Sequence, residues 1–134
     1  MKSLTALAIL SACVVQAQNV ADALRQGEQV FAKSCATGYC HGIRGAAGGA
    51  PRLAGRGFDQ ARIAEVVSNG VPGTAMAPFG GKMERRDFVA VVAYVASLNG
   101  NNAPNISGFT ERAASALNGE AARGAALFRE AVRG

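Results

Sequence analysis

The chain contains no tryptophan, two tyrosines and a single histidine among 134 residues, and its formal charge is a modest +5. That combination excludes a nucleic-acid surface, which needs denser basic character and more aromatic side chains. No Ser-His-Asp set, phosphate loop or second metal cluster can be assembled from its motifs. No segment reads as a convincing strand, which leaves an all-α fold. Long apolar runs are scarce as well: the stretch at residues 4–15 is too short to span a bilayer as a stable anchor.

That stretch follows Met1-Lys2-Ser3 and leads into Val15-Gln16-Ala17, the charged, apolar and small-residue order of an export signal cleaved after Ala17. The competing reading takes Leu10-Ser11-Ala12-Cys13 as a lipobox, with Cys13 lipidated and held on a membrane. Both readings predict export to the periplasm. Removal of Lys2 with the leader lowers the charge by one from +5 and leaves a mildly basic surface.

Three cysteines are few enough for their positions to carry meaning. Cys35 and Cys40 are separated by four residues, and His41 follows directly in the run CATGYCHG. Two thiols with an imidazole beside the second are what covalent haem attachment needs: the sulfurs add to the porphyrin vinyl groups and the imidazole ligates the iron. The alternative is a small disulfide loop between Cys35 and Cys40, with His41 an incidental neighbour.

From about residue 20 to 99 the chain resembles a class I c-type cytochrome, with C-x-x-x-x-C-H in place of the usual C-x-x-C-H. Ala50-Pro-Arg-Leu-Ala-Gly55 is similar to the family's G-P-x-L-x-G stretch beside the proximal ligand. The resemblance implies that the Pro51 carbonyl accepts the Nδ1–H of His41, that Leu53 packs on the haem face, and that Arg52 and Arg56 contact the propionates. Gly73-Thr-Ala-Met-Ala-Pro-Phe-Gly80 resembles the family's G-x-x-M-P-x-F loop, with the proline displaced by one position. As the one histidine cannot fill both axial positions, the resemblance implies Met76 as the distal ligand. Met83 is the rival; it stands where the family usually has a leucine opening the last helix, so core packing is its expected role. One covalently attached haem c, with His41 and Met76 as the metal ligands, is the cofactor implied, and such a centre is relatively oxidising.

Three main helices are expected around that haem, with a C-terminal helical extension. The first runs from Asn19 or Val20 to Ser34, with Val20, Leu24, Val30 and Phe31 as its stripe; Gly27 within it is costly unless another backbone comes close, and the resemblance implies that the last helix crosses the first there. Asp59 caps a second helix over residues 60–69, with Ile63, Val66 and Val67 inward and Gly70 at its end. The third, over residues 85–98, carries Phe88, Val91, Val92, Val95 and Leu98 at the spacing of one buried face. The resemblance implies that Tyr94 lies where this helix meets the first. So small a domain buries too little surface to be comfortable alone, and the haem is expected to complete the core.

The predicted organisation is a leader, 1–17, a cytochrome domain, 18–99, a turn-rich linker, 100–109, and a helical tail, 110–134, with Thr110 as a cap. In that tail Gly124 to Phe128 repeats the pattern of Gly27 to Phe31, as if a second cytochrome domain began and stopped short of its own haem motif. The expected function is that of a periplasmic electron carrier, not an enzyme, shuttling single electrons from a dehydrogenase to a terminal acceptor such as an oxidase. Arg44, Arg52, Arg56, Arg62, Lys82, Arg85 and Arg86 suit an acidic redox partner. The alternatives are the N-terminal fragment of a dihaem, peroxidase-like enzyme and a haem-free, disulfide-bonded binding module.

Overall fold

The computed structural model describes residues 3–37, 40–46 and 48–109, with side chains from Gln16 onward. The tail expected at 110–134, its Thr110 cap and its internal repeat lie outside the described residues, as does the Cys13 side chain. Among the described residues three α-helices carry the fold: α1 is Ser3–Ser34, α2 is Gln60–Asn69 and α3 is Arg85–Ser97, with a short 3₁₀ turn at Ile43–Gly45. No strand occurs among the described residues, and no helix among them is long and apolar enough to cross a membrane.

The first helix begins at Ser3, well before Asn19 or Val20. Its sequence explains the difference, because no proline or glycine interrupts the chain between Ser3 and Gln26. The second helix obeys its punctuation. Asp59 accepts a hydrogen bond from the Arg62 backbone N–H at 2.7 Å, and Gly70, at φ 67°, ends it. A β-carbon on Gly70 would stand 2.5 Å from the Met76 carbonyl oxygen, so the loop after α2 folds directly onto its cap.

Helices α1 and α3 cross where Gly27 meets Ala90. A β-carbon at Gly27 would lie 2.1 Å from the Ala90 carbonyl oxygen and 2.7 Å from the Tyr94 β-carbon. Ala23, Ala90 and Ala93 are buried beside this point, so small residues set the helix spacing. Below it Phe31 and Tyr94 stack with ring centres 5.5 Å apart and tilted by 53°, a favourable aromatic geometry. Gln26 Nε2 also donates to Asp87 across the crossing at 2.9 Å. The main core joins Phe31 of α1, Ile63 and Val67 of α2, and Val91, Val92, Tyr94, Val95 and Ala96 of α3. Phe31 and Val91 are the largest fully buried side chains, each contributing about 1.5–3 kcal/mol relative to exposure.

Residues 104–109 depart from the linker their composition suggests. Pro104, Ile106, Gly108 and Phe109 are buried, and Ile106 and Phe109 join Ala23, Ala90 and Ala93 in a second apolar cluster. Gln60 fastens this strap to α2: its Nε2 donates to the Asn105 carbonyl at 2.8 Å, and its Oε1 accepts from the Asn105 N–H at 2.8 Å. Arg86 lies over the Phe109 ring at 4.4 Å, so this guanidinium serves packing where the sequence suggests a partner-facing charge. Residues 107–109 already have helical backbone, ahead of the cap expected at Thr110.

Burial at the α1–α3 crossing, reinforced by the Glu28 carboxylate, raises the Tyr94 phenol above its ordinary 10.0. The folded state therefore holds this proton more tightly than the unfolded chain does. The stabilisation is fully present below pH 10.0 and is lost as pH rises from there through the folded value. Denaturant midpoints measured from about pH 9 to about pH 11 are expected to fall less steeply in Tyr94→Phe than in the parent; identical slopes would contradict this assignment.

Candidate functional site

The first turn beyond α1 brings the two thiols and the imidazole together. Cys35 and Ala36 donate their N–H groups to the Phe31 carbonyl at 2.8 and 2.9 Å, which closes the helix, and the His41 N–H donates back to the Cys35 carbonyl at 2.9 Å. Cys35 is half-buried against the main core, whereas Cys40 is exposed, and neither is in a disulfide. Burial, and secondarily the neighbouring Cys40, pushes the Cys35 thiol up to about 11. In the cofactor-free chain it is a protonated thiol at neutral pH.

His41 Nδ1 lies 3.0 Å from the Pro51 carbonyl oxygen. A carbonyl can only accept, so the bond requires the proton on Nδ1, and the Nε2 lone pair is left for a metal. The loop carrying Pro51 is tied at several points. Leu53 and Ala54 donate their N–H groups to the Gly45 carbonyl at 2.9 and 3.1 Å, and Gly55 donates to the Leu98 carbonyl at 2.9 Å. Leu53 itself is half-buried against the main core.

Asn99, which in the sequence reads as a helix terminator, has a second task. Its Oδ1 accepts the backbone N–H of Arg56 at 2.9 Å and that of Phe58 at 3.3 Å. Its Nδ2 donates to the Val95 carbonyl at 2.9 Å. The two loop contacts span 43 and 41 positions in the chain, so local sequence carries no signal for them.

Met76 sits in a loop hung from the last turn of α2. Phe79 and Gly80 donate their N–H groups to the Val67 and Ser68 carbonyls at 3.0 and 2.9 Å, and the Met76 carbonyl accepts from Val71 at 2.9 Å. Thr74 Oγ1 accepts the Met76 N–H at 3.1 Å. The Met76 side chain is half-buried. Met83 packs against the main core. Arg52 and Arg56 are both exposed; Arg52 Nε donates to the Ala54 carbonyl at 3.0 Å.

The donor chemistry fits a haem: two free thiols, an imidazole with its Nε2 available, and thioethers. Apolar surface suits the same guest, for Leu53, Phe79 and Leu98 pack half-buried against the core, and Ile43 is 83 % exposed, Val71 40 % and Phe58 38 %.

The family model described as cytochrome c oxidase, cbb3-type, subunit III matches residues 22–95, just over half of the chain. No curated protein and no solved structure matches it. The matched span runs from the first apolar turn of the α1–α3 crossing through the cysteines, His41, the Pro51 and Met76 loops and nearly all of α3. The chain therefore belongs to the cbb3-type cytochrome c oxidase subunit III family: it is a class I c-type cytochrome domain, its cofactor is haem c and its chemistry is haem-based electron transfer.

Proposed function

We propose that the protein is an exported single-electron carrier that holds one haem c covalently through Cys35 and Cys40, with His41 and Met76 as axial ligands. In the periplasm it takes electrons from a dehydrogenase and passes them to a terminal acceptor, an oxidase being the acceptor that fits the family's name. The observation that carries this reading is the 3.0 Å bond from His41 Nδ1–H to the Pro51 carbonyl. It fixes the tautomer and holds the ring, leaving the Nε2 lone pair unprotonated for a metal, as is usual for metal-ligating histidines.

The haem supplies the exchangeable electron. The chain's residues set its charge balance and shield it. Cys35 and Cys40 would fasten the group at the end of α1, and the half-buried Leu53, Phe79 and Leu98 would shield it from water. Met76 is the preferred second ligand because its loop resembles the family's ligand loop; Met83 packs half-buried against the main core. Exposed Arg44, Arg52, Arg56 and Lys82 favour an acidic partner through long-range attraction, so the rate of electron exchange falls as salt rises. With His41 and Met76 both serving as ligands, the iron would have no open site for a substrate.

Met76→Ala tests the ligation. The oxidised protein is expected to lose its sulfur-to-iron charge-transfer band, and its midpoint potential to fall on the order of 0.1 V, within the roughly 0.8 V range that axial ligands control. An unchanged spectrum would transfer the role to Met83.

A further inference from the structure

We infer that Asn99 is a positioning residue for His41, acting through the loop that carries Pro51; the inference rests on the ligation by His41 proposed above. Pro51 offers the carbonyl that holds the imidazole, yet it has no N–H with which to anchor itself. On its N-terminal side the tie is the long bond from the Ala50 N–H to the Cys40 carbonyl, at 3.3 Å. The backbone at Gly48 also packs closely on the Cys40 carbonyl, and the residues on the C-terminal side of Pro51 carry further ties.

Leu53 and Ala54 are tied to the Gly45 carbonyl at 2.9 and 3.1 Å, and the residues after them are held by the end of α3. Leu98 accepts the Gly55 N–H at 2.9 Å, and Asn99 Oδ1 gathers the N–H groups of Arg56 and Phe58 at 2.9 and 3.3 Å. The amide cannot be reversed without loss, because Nδ2 is needed as donor to the Val95 carbonyl at 2.9 Å and the two loop N–H groups need an acceptor. Asn99 thus couples the most buried helix of the fold to the loop that orients the ligand. The path runs from the Val95 carbonyl through the Asn99 amide to the Arg56 and Phe58 backbone, then along the loop backbone, which Gly45 and Leu98 also tie, to the Pro51 carbonyl and His41 Nδ1–H.

The hydrogen bond at Nδ1 raises the basicity of a metal-bound imidazole and so favours the more positive, oxidised metal. A loosened loop weakens that bond, and the centre becomes easier to reduce. Asn99→Ala is therefore expected to raise the midpoint potential of the haem-loaded protein, with an about threefold shift in the oxidised-to-reduced ratio, equivalent to about 28 mV at 59 mV per tenfold for one electron. Amide hydrogen exchange at Arg56 and Phe58 is expected to quicken by about tenfold.

Gln26→Ala is the comparison, since it cuts an α1–α3 hydrogen bond to Asp87 remote from this loop in the chain. It is expected to lower stability and leave the potential where it was. Asn99→Ser, which retains a shorter acceptor, is expected to shift the potential in the same direction by less, and it serves if the alanine variant does not fold. Faster exchange with an unmoved potential in the Asn99 variants would overturn the inference, as would an equal shift in Gln26→Ala. A parent protein that carries no haem refutes the ligation reading and this inference with it; normal haem with an unmoved potential refutes this inference alone.

Discussion

Gly27→Val is expected to abolish cooperative folding or to lower stability by about 3 kcal/mol or more, since overpacking against rigid neighbours lies at the upper end of such costs. The first atom in the way is the Ala90 carbonyl oxygen, 2.1 Å from where a β-carbon would stand, and the next contacts are at 2.7 Å. Backbone of a buried helix cannot turn aside as a side-chain tip can. Gly27→Ala separates the two effects that compete at this site. Helix propensity alone favours alanine by about 1 kcal/mol, whereas the contact with Ala90 costs about 1–3 kcal/mol, so a net loss is expected. Denaturant unfolding of the haem-loaded protein measures it. An alanine variant as stable as the parent would show that α1 and α3 do not meet this closely.

His41→Ala is expected to have the largest effect on the centre itself. The imidazole is the one histidine of the chain, so no other can replace it. The low-spin spectrum of the parent is expected to be lost, and imidazole added to the purified variant to restore much of it by occupying the vacated position. Restoration separates loss of a ligand from loss of the fold. A variant that keeps the parent spectrum without added imidazole would remove His41 from the ligand set.

The parts of this protein legible in the sequence are those with local causes. Asp59 and Gly70 delimit α2 because capping acts within one helical turn. The buried face of α3 is visible because Val91, Val92 and Val95 recur at helical spacing. Gly27 is legible as a helix glycine whose cost calls for a close backbone approach, and the crossing at Ala90 supplies it. The proximal loop is legible through its likeness to a known motif, and the structure sets Pro51 beside His41.

Features with distant causes are not visible in the same way. The segment at 104–109 has the polar, turn-forming composition of a linker, yet Ile106 and Phe109 find a surface of small residues prepared by Ala23, Ala90 and Ala93. That surface is assembled from two helices far apart in the chain. Asn99 reads as a terminator because asparagine is common at helix ends, and its loop partners lie 43 and 41 positions away. Arg86 looks like a free surface charge until Phe109 is placed beneath it.

The most direct test of the account is the intact mass of the purified full-length gene product from a host that matures c-type cytochromes, read together with its thiol content and visible spectrum. The account predicts a mass increment of one haem per chain, both Cys35 and Cys40 consumed and a low-spin spectrum. A colourless protein with both thiols titratable, or a haem that acid and organic solvent extract, would contradict it.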